Sequence, residues 1–105
     1  MRRGELWWAD LPEPLGHRPV LLLSREQAYA IRTRVTVAPL TTTIRRIPTE
    51  VPLGAEEGLP RGSVANLDDI ATIPKSRIAR RIGALSQAKM NAVREAIVFA
   101  LALDA

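Results

Sequence analysis

One arginine stands where a strand should begin. In Gly16-His17-Arg18-Pro19-Val20-Leu21-Leu22-Leu23-Ser24 the apolar run Val20 to Leu23 reads as a buried strand, with Arg18 at its mouth. Burying an unpaired guanidinium is expensive, so an arginine there either has an anionic partner or waits for one. Its planar fork suits phosphate and carboxylate alike. It stays protonated at any ordinary pH, which suits an electrostatic clamp better than a base. His17, the only histidine of the chain, directly precedes it. An unperturbed imidazole titrates near ~6.5, so His17 is the obvious residue to exchange a proton. On a regular strand, however, neighbours point to opposite faces, which sets His17 against Arg18. Basic side chains recur at Arg45-Arg46, at Lys75-Ser76-Arg77 and at Arg80-Arg81. Such residues contact phosphates in a salt-sensitive way and carry little base information. For any one of them a solvated surface is the plainer reading. Trp7 and Trp8 offer flat faces for a base to stack on, although a role in packing is the plainer reading there too.

The elements that must position these residues are short. Glu5 to Leu11 reads as a strand, with Trp7 and Trp8 on opposite faces. Pro12, Pro14 and Gly16 make a loop. Arg18 to Ser24 is the second strand and Arg25 to Ile31 holds a helical turn. The β-branched stretch Arg34 to Leu40 is the third strand and runs into Thr41-Thr42-Thr43. Pro48 to Leu53 reads as an edge strand, bounded by prolines. Gly54, Gly58, Pro60 and Gly62 punctuate a loop that carries Glu56 and Glu57. Ser63 to Leu67, a weaker Ile70 to Ile73, and Arg77 to Leu85 complete the strands. Ser86 to Leu103 is the one long helix, with Ser86 as its cap. Its apolar residues form two stripes: Met90, Val93, Ile97 and Leu101, and Ala92, Ala96, Phe99 and Leu103. Two stripes fit a helix covered on more than one side, by its own barrel or by a second copy. Many short strands and one terminal helix predict an α+β, mainly β fold: a small, strongly bent antiparallel sheet or barrel.

Composition narrows the function. The 105 residues fit a single domain spanning 1–105. No apolar run approaches the ~18 residues of a membrane span, and the start lacks the apolar stretch of a signal peptide. With no cysteine and one histidine, thiolate and other transition-metal sites are not expected, nor is a cofactor, and a reducing cytoplasm fits. The net charge is +4, and of fifteen basic residues only Lys75 and Lys89 are lysine. A mild basic balance raises the odds of a nucleic-acid partner without settling it.

Four stretches then fall in a telling order: RGELWWADL (Arg3 to Leu11), HRPVLLLS (His17 to Ser24), VTVAPLTTTIR (Val35 to Arg45) and LPRGSVANLDDIATIPKSRIARRIGALS (Leu59 to Ser86). Together they resemble the MazF/PemK toxin family over nearly the whole chain. The resemblance implies a small SH3-like barrel with a C-terminal helix, shared with the CcdB poisons, that forms a homodimer. It implies metal-independent, sequence-specific cleavage of single-stranded RNA, and silencing by a MazE-like antitoxin whose tail lies over the basic groove. It places the catalytic arginine on Arg18 and the catalytic threonine on Thr41. Thr42 and Thr43 share substrate contact, and Asp68 and Glu5 fall on acidic positions that relatives have near the cleft. Arg45, Arg46, Lys75 and Arg77 become RNA-binding candidates. The general base stays open, because a neutral threonine is as poor a base near pH 7 as an arginine.

The chain also departs from the family pattern. The segment Leu11 to Arg18 is short, Ala71 stands where many relatives carry arginine, and Gly62 where they often carry an acid. These changes bear on gating and on the RNA motif and leave Arg18 and Thr41 untouched. Two rivals share the fold: a gyrase-binding poison of the CcdB type, and an inactive RNA-binding relative. The first depends on a Trp-Gly-Ile ending, whereas this chain ends Leu103-Asp104-Ala105.

Overall fold

The computed structural model describes residues 1–105. Its strands are β1 (Glu5–Asp10), β2 (His17–Leu22), β3 (Arg34–Thr41), β4 (Glu50–Leu53), β5 (Ser63–Asn66), β6 (Ala71–Pro74) and β7 (Ile78–Ala84). A short helix α1 (Ala28–Ile31) precedes β3, and the long helix α2 (Gln87–Leu101) closes the chain. The sheet runs β4-β5-β3-β2-β1-β7, with β6 also on β3, and every pairing is antiparallel. Thus β4 does lie at an edge. The result is the small, curled SH3-like barrel with a C-terminal helix.

The curl centres on β3. Its first half, Arg34 to Val37, pairs with β6, and its last residues, Leu40 and Thr41, pair with β5. On its other side Val37 to Pro39 pair with β2. Pro39 has no N–H to give, and it sits where β3 has left β6 and not yet reached β5. One strand feeding two neighbours along one side cannot stay flat.

Alternation then sorts the apolar side chains onto two cores. Leu6, Leu21, Ala38 and Leu40 pack with Val51, Leu67 and the helical Val93 and Ala96. Ala9, Val20, Leu22, Val35 and Val37 pack with Ile73 and Ile78 on the other side, and Trp7 leans on them. Ser86 caps α2, its hydroxyl accepting from the Lys89 N–H at 3.2 Å. The helix therefore covers its own barrel through Val93 and Ala96 while its C-terminal part leaves Phe99 and Leu101 exposed; it ends at Leu101, short of the expected Leu103, because Ala102 turns into the left-handed region.

Two contacts tie the first strand and a long loop to β7. Glu5 accepts hydrogen bonds from the Arg81 Nε at 2.8 Å, the Trp7 indole at 3.1 Å and the Arg2 backbone N–H at 2.8 Å. Partial burial pushes its carboxyl pKa up, but the bonds from Arg81, Trp7 and Arg2 outweigh it, so the pKa lies below the ordinary value. Gly83 meets the loop 54–62 so closely that a Cβ there would stand 2.1 Å from the Glu57 carbonyl oxygen.

A carboxyl with a depressed pKa stabilises the fold while ionised. Its contribution is present above the unfolded pKa of about 4.3 and is lost as pH falls through the lower folded value. Urea titrations of wild type and Glu5→Gln should therefore show a stability gap at pH 7 that closes at acid pH. Gly83→Ala should cost about 1–3 kcal/mol in the same assay, because the carbonyl it meets is backbone and must move with its loop.

Candidate active site

A cleft lies where β2 begins and β3 ends. It encloses about 380 Å³. β1 and β2 contribute Trp8, His17, Arg18 and Pro19; β3 and the residues after it contribute Leu40, Thr41, Thr42 and Thr43. The loop before β5 adds Leu59, Pro60 and Arg61, and β5 itself adds Ser63.

Arg18 and Thr41 come together for a reason visible in the ladder. The pairs Leu22–Val37, Leu21–Ala38 and Val20–Pro39 fix the register of β2 on β3. Continued by two residues on each strand, that register runs to Arg18 and Thr41. The half-buried Arg18 donates through Nε to the Leu15 carbonyl at 2.7 Å and through Nη1 to the Leu40 carbonyl at 3.2 Å. Those two bonds use two of the five N–H groups of a guanidinium. No carboxylate pairs with it; the ion pairs of the chain are Arg81–Glu5 and His17–Asp10. Thr41 accepts through Oγ1 from the Thr43 N–H at 3.1 Å, which orients the oxygen and leaves the hydroxyl proton free to donate.

As strand alternation predicts, His17 leaves the backbone on the face opposite Arg18. Its ladder partner is Asp10, which places the ring on the Trp8 side of the sheet. There it stacks on the Trp8 indole, centroids 5.0 Å apart and planes within 3°. Arg18, opposite Ala9, starts on the other face, but its long side chain reaches across the rim to Leu40. Both residues therefore line one cleft, because at the end of a strand the two faces meet. His17 Nδ1 lies 2.6 Å from Asp10 Oδ1.

The remaining candidates divide. Thr42 lies in the cleft beside Thr41. Arg45 and Arg46 follow on an exposed loop whose backbone is pinned by the buried Glu50, Oε1 accepting from the N–H of Arg45 at 3.0 Å and of Arg46 at 2.9 Å. Their guanidinium groups have no carboxylate partner. Glu5 is not in the cleft; it is committed to Arg81, Trp7 and Arg2. Asp68 is not in the cleft either. It accepts from the Thr49 hydroxyl at 2.7 Å and so holds the far end of the threonine-arginine loop. Lys75 donates through Nζ to the Tyr29 carbonyl at 2.9 Å, so its ammonium is occupied away from the cleft. Arg77 is exposed beside it, also outside.

Three contributors were not singled out from the sequence: Asp10, Arg61 and Ser63. Asp10 is two residues from Trp8, hence on its face, a signal that alternation could have provided. Arg61 depends on how the loop 54–62 folds. There Glu57 Oε1 accepts from the Gly54 N–H at 2.6 Å, Gly58 takes a φ of 90°, and Leu59 is buried. Nothing in the spacing of Pro60-Arg61-Gly62 reveals where that turn points.

Comparison with known proteins agrees with this architecture. Residues 2–101 match the family model described as PemK-like, MazF-like toxin of type II toxin–antitoxin system. The chain is 47% identical to the endoribonuclease MazF3 of Mycobacterium tuberculosis, over 83% of this chain and 84% of that protein. The solved structure of the M. tuberculosis toxin MazF-mt6 superposes with a TM-score of 0.87 at 42% identity, covering 93% of this chain and 96% of that one. A mycobacterial endoribonuclease solved in complex with its cognate antitoxin also gives 0.87, at 34% identity over 98% and 96%. With its curled sheet, terminal helix and an unpaired arginine beside a threonine at the rim, the chain belongs to the PemK-like, MazF-like family of type II toxins.

Proposed function

We propose that this toxin is an endoribonuclease that cuts single-stranded RNA at particular sequences, without a metal ion, through Arg18 and Thr41. One observation carries the reading: a half-buried guanidinium, aligned by two backbone carbonyls and answered by no carboxylate, borders an open cleft beside an oriented threonine hydroxyl. A phosphodiester supplies the missing anion. Its similarity to proteins named endoribonucleases supports the same reading.

The chemistry follows from the groups. The ribose 2′-OH attacks the adjacent phosphorus, the P–O5′ bond breaks, and the ends are a 2′,3′-cyclic phosphate and a 5′-OH. Negative charge gathers on the non-bridging oxygens, and the free N–H groups of Arg18 stabilise it there. Thr41 orients the phosphate or the attacking hydroxyl. No carboxylate lines the cleft, so a hard divalent cation would lack the oxygen ligands it prefers. Thr42, Arg61 and the exposed Arg45 and Arg46 contact the strand on either side. Lys75 and Arg77, outside the cleft, add only to the long-range positive field.

Residues 1–105 act as one toxin domain in the cytoplasm, as a homodimer that a MazE-like antitoxin silences by covering the groove. The uncovered apolar end of α2, with Phe99 59% and Leu101 57% exposed, favours self-association.

RNA cleavage in EDTA tests this reading. Long single-stranded RNA should be cut at a recurring motif with 5′-OH ends, and an all-DNA strand, lacking the 2′-OH, should survive. Arg18→Ala should lose at least about 10²–10³-fold in rate with its circular dichroism unchanged. Thr41→Val should lose about 10²-fold. Wild-type rates in Arg18→Ala would remove the mechanism. Arg45→Ala should weaken binding and reduce the salt slope by about 0.7, the share of one single-strand phosphate.

A further inference from the structure

Attack by a 2′-OH requires that its proton go somewhere, and neither arginine nor a neutral threonine takes it well near pH 7. The cleft lining contains no carboxylate, lysine, cysteine or tyrosine. His17 is the one imidazole in it, with a ring nitrogen able to accept a proton. The surroundings of that ring are specific. An ionised carboxylate only accepts, so the 2.6 Å contact to Asp10 Oδ1 places a proton on Nδ1. That assigns the tautomer and leaves Nε2 with its lone pair as the nitrogen available to a substrate. The Trp8 indole fixes the plane of the ring from one side. Side-chain exposures of 55% for His17 and 63% for Asp10 keep the pair open to a ligand.

We infer that His17 is the general base of the cleavage reaction and that Asp10 is its positioning residue. The inference rests on the endoribonuclease reading and deepens it. In the step, the 2′-OH proton passes to His17 Nε2 as the O2′–P bond forms. The P–O5′ bond breaks, the 5′-oxygen takes a proton from water, and the imidazolium returns its proton to solvent. Asp10 favours the base role, because its charge stabilises the imidazolium that proton uptake creates; it would oppose donation from the same ring. The other charges placed around the ring are Arg18 next in sequence, Arg61 across the cleft, Arg80 on β7, the ladder partner of Trp8, and the Glu13 carboxylate, which lies against Gly16. Arg80 is exposed, and Arg18 is tethered to two carbonyls.

Single-turnover cleavage of an RNA oligonucleotide carrying the mapped site, followed from pH 5 to 8.5, tests the assignment. The wild-type rate should rise with pH through one ionisation and then level, since the neutral ring is the active form. His17→Gln should be about 10²–10⁴-fold slower and lose that rise. Its affinity for the same oligonucleotide with a 2′-deoxyribose at the cut should be unchanged. Asp10→Asn should slow cleavage by up to about 10⁴-fold, because asparagine tolerates the wrong tautomer. The double variant should be no slower than His17→Gln alone, as expected of residues acting as one unit. Replacing O5′ by sulfur, which leaves without a proton, should not rescue His17→Gln. A rescue would make His17 the acid and overturn the assignment. So would a wild-type pH profile in His17→Gln, or a defect confined to affinity, which would leave the ring and Trp8 as a stacking wall. If wild-type protein cuts nothing, the endoribonuclease reading itself fails; if it cuts and His17→Gln matches it, only the base assignment fails.

Discussion

The whole rim depends on β3 serving three strands at once. Its amides and carbonyls are shared between β2 on one side and β6, then β5, on the other. The handover at Ala38-Pro39 bends the sheet and makes Thr41 the last residue of the strand. It also leaves the Leu40 carbonyl within reach of a side chain from β2. A carbonyl at such a place needs a donor. Arg18 provides one, and in doing so is held with its remaining N–H groups unspent. The geometry that closes the barrel and the geometry that presents a guanidinium are one arrangement.

Acidic residues complete it from a distance. Glu5, Glu50, Glu57 and Asp68 all hold the backbone or side chains of neighbouring segments: Glu5 the chain start and β7, Glu50 and Asp68 the two ends of the threonine-arginine loop, Glu57 the turn before Pro60. Each carboxylate so placed is one that does not line the cleft. A chain with eleven acidic residues thereby keeps a concave surface whose formal charges are arginines and, when protonated, one histidine.

The strands and the helix were legible because alternation and helical spacing are local. Even the edge position of β4 followed from Pro48 and Pro52. Arg18 was conspicuous by its cost, and Thr41 became so only through resemblance, since a threonine run alone fits any strand end. What escaped depends on contacts between distant segments. His17 and Arg18 were set apart by strand alternation, yet a long side chain at a strand end can turn the corner. Asp68 looked like a site carboxylate, but its partner, Thr49, lies nineteen positions away on another element. Lys75 looked free, and the carbonyl that occupies it belongs to Tyr29. Arg61 was invisible because its direction is set by Glu57, Gly58 and the close approach of Gly83.

The cleft draws its two kinds of residue from two kinds of backbone. Arg18, His17 and Thr41 sit on strands whose register is locked by both cores. Thr42, Thr43, Pro60 and Arg61 sit on loops pinned only at their ends. A substitution in those loops can reshape the wall of the cleft without disturbing Arg18, His17 or Thr41. The geometry of Arg18 and Thr41 and the shape of the surrounding wall therefore rest on different parts of the backbone, and the wall is the part that can change alone.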